Sequence, residues 1–298
     1  MWGVVATVKA PVEKVLAFVA HHLSLGAGHV WIYFDDPEDP AHEAVKRLPK
    51  VTATRCDAAW WQARGARPER HQNRQVKNAR QAYLACRLPW IAHLDCDEFL
   101  APLRPVDEIL AEIPPEQIMV RAEPHEAVHD PALPDEIFTA RLFRAALKGG
   151  HAPLLSQVIG GYADVLPNGL MSHHVGKAFF RTGIKALSPR LHGAFVNGTR
   201  LPGPPFHPDL RLLHFHAQDR AAWQAALPYR LTRGAYQYAP ALQSFLMAAT
   251  PGQVDDFYRK TQMLNADQER MLRSANRLAE ADLRLRDKVA ALPGGAGT

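Results

Sequence analysis

The first hundred residues switch between two kinds of apolar spacing. Val4 to Val8 is a short β-branched run, and beyond Pro11 the residues Val12, Val15, Leu16, Val19 and Leu23 recur at helical intervals. Pro11 near the first turn and Gly26 past the last apolar position mark the limits of that helix. Val30-Trp-Ile-Tyr-Phe34 then reads as an aromatic, β-branched strand that stops on Asp35-Asp36-Pro37. Strand, amphipathic helix and strand form a βαβ unit, which predicts parallel neighbours and ligands gathered beyond the C-terminal ends of the strands. The same reasoning predicts a third strand over 50–55, a helix over about 68–87 and a fourth strand over 90–95. Asp35 and Asp95 would then close equivalent strands.

After Leu100 the pattern shortens. Pro102, Pro105, Pro114, Pro115, Pro124, Pro131 and Pro134 favour loops and short strands over long helices. Gly149 to Pro208 is rich in glycine, proline and histidine, with strand-like runs at Gly176 to Arg181 and then at Leu210 to Phe215, so it is expected to carry substrate-shaping loops. Gln253 to Leu292, rich in Glu, Arg, Leu and Ala, reads as helix packed outside the core. No repeat at solenoid spacing is present.

With 298 residues, 47% hydrophobic and 22% charged, the chain can bury a sizeable core and does not have the composition of a disordered protein. Cys56, Cys86 and Cys96 show no C-x-x-C spacing and leave an odd thiol, which suits a reducing compartment and small buried hydrophobes. The first residues lack a basic segment ahead of an apolar one, and no window approaches the roughly 18 apolar residues that span a bilayer. A cytoplasmic protein is therefore expected. The net charge of +5 permits attraction to phosphates and peripheral association with an anionic membrane. The basic residues are dispersed and form no recognition-helix signature, so nucleic acid is not an expected partner.

Candidate chemistry centres on W-I-A-H-L-D-C-D-E-F-L, residues 90–100. Side chains two apart on an extended segment point to the same side, so Asp95 and Asp97 can converge on one hard cation, with Glu98 as a third carboxylate. The same tripeptide also suits a solvated turn. Arg74 and Asn78 share a helical face, which either borders a ligand or, with Lys77 and Arg80, is simply solvated. His214 and His216 alternate with apolar residues and are expected to face one side, as metal ligands or as core histidines. Lys177 and Arg181, beyond the Ser172-His-His run, suit the charge of a diphosphate.

These segments resemble the glycosyltransferases of the GT-A fold, especially the bacterial family-two-like group. The resemblance runs through V-K-A-P-V-E-K-V-L-A-F-V-A-H-H-L-S-L-G-A-G-H-V-W-I-Y-F-D-D, then R-Q-V-K-N-A-R-Q-A-Y, then the segment ending D-C-D-E-F-L, covering roughly Val4 to Leu100. It implies an α/β fold: a Rossmann-like mixed, mostly parallel sheet flanked by helices. The expected layout is a domain over 1–250, with a nucleotide-binding half over 1–100 and an acceptor and metal half over 101–250, followed by a helical C-terminal extension over 251–298.

The resemblance further implies that Asp35 or Asp36 holds the nucleotide base or ribose, with Arg74, Asn78, Lys177 and Arg181 around the donor. Asp95 and Asp97 would bind Mn²⁺ or Mg²⁺ under the diphosphate, with His214 or His216 completing the shell and His192 as another late histidine. The expected activity is transfer of a sugar, with inversion, from a nucleotide-diphosphate sugar to a glycan, lipid-linked or protein acceptor. One departure concerns Ala10-Pro11, where many relatives carry Asn-Glu, and the usual glutamate-aspartate catalytic pair has no match here. Asp130, Glu126 and Asp164 are candidate bases by position alone. A metal-dependent phosphoester hydrolase and a non-catalytic nucleotide-sugar-binding module are the alternatives.

Overall fold

The computed structural model describes residues 1–134 and 137–293. The chain opens with β1 (Trp2–Val8), α1 (Val12–Ser24), β2 (His29–Phe34), α2 (Ala41–Val45) and β3 (Val51–Arg55). Then come α3 (Ala58–Gln62), α4 (His71–Ala85), β4 (Trp90–His93), β5 (Glu98–Pro102), α5 (Val106–Ala111), β6 (Met119–Ala127) and β7 (Leu142–Ala145). The short α6 (Leu155–Ile159) precedes β8 (Lys177–Arg181), β9 (Leu187–Pro189), β10 (Ala194–Val196), β11 (Thr199–Arg200) and β12 (Phe206–His214). The chain continues through α7 (Arg220–Thr232), α8 (Pro240–Ala248), α9 (Pro251–Gln262), α10 (Ala266–Ser274), β13 (Leu278–Glu280) and α11 (Leu285–Ala290).

Two compact units arise from these elements. The first contains residues 1–123, 175–212 and the chain from Leu283 onward; the second contains 124–174 and 213–282. Both are discontinuous in sequence. The last five residues of the expected extension, 294–298, lie outside the described residues.

In the first unit β3, β2, β1 and β4 are parallel, β8 runs antiparallel to β4, and residues 119–122 of β6 run antiparallel to β8. This is the expected mixed α/β class with a parallel core. All of β1 is buried, as a strand covered on both faces must be. Val5 belongs to the cluster that includes Ala79, Ala82 and Tyr83 of α4, whereas Trp2 meets the ring of His22 in α1. The odd and even positions of β1 thus carry the two helical layers. A small antiparallel sheet, β11-β10-β9, belongs to the same unit.

Two histidines lie inside the α1 layer. His21 donates through Nε2 to the Leu100 carbonyl at 2.7 Å and accepts at Nδ1 from Lys288 of α11 at 3.0 Å; His22 donates through Nδ1 to Phe18 O at 2.8 Å. Burial lowers both imidazoles, His22 from 6.5 to about 4. The unfolded chain therefore binds these protons first, and native stability must fall as pH drops from about 6.5 towards 4. In a pH series of chemical denaturations, His22→Gln should reduce the total loss by roughly 3 kcal/mol, at about 1.4 kcal/mol per pKa unit.

In the second unit residues 125–127 of β6 pair with β7, and β13 pairs with the other edge of β7. The C-terminal stretch is thus not the all-helical layer outside the core that its composition suggests. Leu278 to Glu280 form a strand, reached through Asn276 in a left-handed turn, and Phe257, Tyr258 and Leu272 are buried with Trp223 and Tyr236. Helices α9 and α10 start at capping boxes, Thr250 with Gln253 and Asn265 with Gln268, which break the apparent single helix. Among the described residues no helix is long and apolar enough to cross a membrane.

Candidate functional site

The parallel ladder extends one residue past each strand. Asp35 N–H donates to Val8 O, Cys56 N–H to Phe34 O and Leu94 N–H to Val5 O, each at 3.0 Å. This fixes the backbone from which Asp35, Asp57 and Asp95 depart. Helix α4 crosses these ends and presents Arg74, Gln75 and Asn78, all buried, on one face.

Arg74 grips Asp35 with two hydrogen bonds, Nε to Oδ1 at 2.6 Å and Nη2 to Oδ2 at 2.7 Å. Its Nη1 donates to the carbonyls of Pro68 and Glu69 at 3.0 and 2.6 Å. A solvated role for Arg74 is thereby excluded. Burial opposes ionisation of Asp35, yet hydrogen bonding and charge from Arg74, with Arg67 nearby, hold its carboxyl below the usual range. Arg74→Met should cost about 3–5 kcal/mol, because it strips a buried carboxylate of its main partner. A depressed carboxyl pKa stabilises above the unfolded value near 3.9 and ceases to do so as pH falls through the folded one, so denaturation curves of variant and wild type should converge in acid.

Gln75 hydrogen-bonds Asp95 Oδ1, and the ammonium of Lys177 lies 2.6 Å from Asp95 Oδ2 and 3.2 Å from Glu98 Oε2. Glu98 also accepts the Asp95 N–H at 2.8 Å. Lys177 and Glu98 are fully buried. Burial works against the lysine charge, but Asp95 and Glu98 outweigh it and raise the ammonium pKa. Asp97, half-buried, follows on the turn closed by Glu98 N–H to Asp95 O at 3.0 Å. Lys177 thus pairs with two of the three carboxylates of this turn, Asp95 and Glu98. Carboxylate oxygens such as those of Asp95 and Asp97 are the ligand type that a hard divalent ion takes.

Beside Asp35 an open cleft of about 480 Å³ runs between the ends of β2 and β3, lined by Cys56, Asp57, Trp61, Ala66 and Arg67 among others. Asn78 lies deeper: fully buried, it donates to Thr7 Oγ1 at 3.1 Å and accepts from Trp60 Nε1 at 3.3 Å, so it anchors the helix rather than facing a ligand. Asp36 pairs with Lys9 at 3.4 Å and accepts the Glu38 N–H, a turn role outside the cleft.

Arg181 lies apart from these side chains. In the β4–β8 register it opposes Trp90, at the start of β4, so it sits at the end of the strand away from Asp95. There its guanidinium lies 4.3 Å from the Trp90 ring and donates to the carbonyls of Ile113, Pro114 and Gln117. Lys177, four residues earlier on an antiparallel strand, is for the same reason brought to Asp95. His192 meets Gly176 O through Nδ1 at 2.9 Å.

The remaining candidates belong to the second unit. The ring of His214 lies 5.3 Å from those of His173 and His216. His216 is a core histidine: Tyr236 accepts the Trp223 indole N–H at 2.8 Å, and its own hydroxyl reaches His216 Nε2 at 3.0 Å. Burial, then Arg230, lower its pKa well below the usual value. Its Nε2 is thereby engaged inside the core. Glu126 is buried, with both oxygens accepting backbone N–H groups, from Met171 at 2.9 Å and Ser172 at 2.7 Å, which makes it an anchor rather than a base. Asp130 is exposed and accepts the Ala132 N–H, and Asp164 is exposed.

Gln75, Asp57, Trp61 and Arg67 were not singled out from the sequence. Gln75 adjoins Arg74 on the helix, and Asp57 stands where an N-cap would precede α3, so two of the four had a local signal.

No protein-family model matches the chain, and no curated protein matches it. Among solved structures, HddC from Yersinia pseudotuberculosis shares 9% identity over 61% of this chain and 77% of its own, with a TM-score of 0.32. TarS residues 1–349 from S. aureus shares 10% identity over 87% and 80%, with a TM-score of 0.34. A second S. aureus TarS structure shares 11% over 78% and 40%, with a TM-score of 0.33. Likeness at this level assigns no residue, and the site is read from its own side chains.

Proposed function

We propose that the chain is a metal-dependent glycosyltransferase of the GT-A type, which moves a sugar from a nucleotide-diphosphate sugar to a glycan, lipid-linked or protein acceptor. One observation carries the reading. Asp95, at the end of a central parallel strand, is held from two sides by Gln75 and Lys177, and the same helix α4 holds Asp35 at the edge of the cleft. A carboxylate so fixed, with Asp97 beside it, is organised before any ligand arrives.

In this scheme Asp95 and Asp97 hold Mn²⁺ or Mg²⁺, which when bound would neutralise the departing diphosphate. Lys177 orients Asp95, and the Arg74–Asp35 pair forms the rigid wall of the nucleotide cleft. Inversion of configuration, a family-two-like mechanism and a place in polysaccharide synthesis accompany the proposal, and no residue is assigned as base.

The test is thermal stabilisation by a panel of nucleotide sugars with and without Mn²⁺, since a ligand that binds only the native state raises its stability by mass action. One donor should stabilise strongly, and only with the metal. Stabilisation by the metal alone, with no donor effective, would remove the transferase reading and favour a hydrolase.

A further inference from the structure

The resemblance gives the acid at the end of β2 the task of reading the nucleoside, but the geometry leaves that acid little capacity. Both oxygens of Asp35 already accept from Arg74, and Oδ1 accepts again from Arg67 Nη2 at 3.1 Å. The charged residues lining the cleft are Asp35, Asp57 and Arg67. The capacity to bind sits on the other two.

Asp57 accepts the Trp60 N–H through Oδ1 at 2.7 Å, capping α3, and its Oδ2 bonds no described residue. The Arg67 side chain is about half exposed (48%); it spends Nη2 on Asp35, while Nε and Nη1 bond no described residue. The loop that carries Arg67 is tied down by Lys77 Nζ, which donates to the carbonyls of Arg64 and Ala66 at 3.2 and 3.3 Å. Arg64 is occupied, its guanidinium 3.3 Å from the Trp60 ring. The cleft thus has one free anion grip, one free acceptor oxygen and the apolar Trp61 of α3 in its lining, in a volume suited to a small molecule.

We propose that Arg67 and Asp57 hold the shared part of the donor nucleotide, Arg67 binding a phosphate of the nucleoside diphosphate and Asp57 accepting from a ribose hydroxyl. The assignment rests on the glycosyltransferase reading. Asp35 then acts as the holder of Arg67 and not as a ligand to the base.

Calorimetric titration of the full chain with uridine, guanosine, cytidine and thymidine diphosphates and the parent nucleosides, in Mn²⁺, tests it. Arg67→Met should weaken the preferred diphosphate about 10- to 100-fold while leaving the nucleoside unchanged, because only a charge-assisted hydrogen bond is lost. Asp57→Asn keeps the helix cap. It should weaken the ribose diphosphate but not its 2′,3′-dideoxy analogue. Wild-type affinity in both variants, or equal loss of nucleoside and diphosphate in Arg67→Met, overturns the assignment and leaves the transferase reading intact. If the wild type binds no nucleoside diphosphate, the transferase reading falls and the assignment with it.

Discussion

Asp95→Asn is expected to reduce turnover by about 100- to 1,000-fold, the range found when one preorganised electrostatic partner of a reaction is removed. The amide keeps an oxygen for Gln75 but presents an NH₂ to Lys177, which then turns wholly to Glu98. The fold should survive, since Glu98 still neutralises the buried ammonium. A donor-consumption assay over a Mn²⁺ series reads the effect. Wild-type turnover in a folded Asp95→Asn protein would dispose of the carboxylate as a catalytic centre. Asp97→Asn serves as a partner experiment: it leaves the Lys177 contacts untouched and should raise the Mn²⁺ concentration needed for half-maximal rate.

Lys177→Met should cost about 3–5 kcal/mol, because it removes the buried cation that pairs with the fully buried Glu98 carboxylate. Sign and pH range follow from the raised ammonium pKa. The lysine contributes fully below the unfolded value near 10.4, and its contribution declines only as pH rises through the folded value. The deficit should therefore be constant across the neutral range. Urea denaturation of both proteins at several pH values gives the comparison. An unchanged midpoint at pH 7 would mean that Asp95 and Glu98 do not depend on this partner.

The opening βαβ unit was legible because apolar periodicity changes sharply between residues 8 and 30, and a sheet buried on both faces leaves strands that read as unbroken apolar runs. Observed β1, α1, β2 and β3 begin and end within two residues of the reading. The helix over 68–87 came out as α4, shorter by three residues at its start and two at its end. The five-residue α3 was too short to show a period. Strand β13 was hidden because its three residues, Leu278 to Glu280, carry a helix-compatible composition; only pairing with β7 makes them extended.

At the site, residue types were legible and partnerships were not. Asp95, Asp35, Arg74 and Lys177 were all visible as candidates, but the lysine reaches the acid across 82 positions, through the register of β8 against β4. The same register removes Arg181, which no local pattern could have indicated. Asn78 and His216 show the converse. Their polarity suggested a ligand, and the fold consumes it in Thr7, Trp60 and Tyr236.

Helix α11 packs on α1, with Leu285 buried and Lys288 against His21, yet the residues before it from 213 to 282 belong to the second unit. During synthesis α1 must therefore wait for about 260 further residues before its partner emerges. Until then its His21 and His22 layer lacks a cover, the condition under which chaperones bind and slow, long-range closure governs the folding rate. A chain terminated at 282 would be made with every described strand and every candidate site residue present, and would still lack the helix that packs on α1 in the unit holding Asp95.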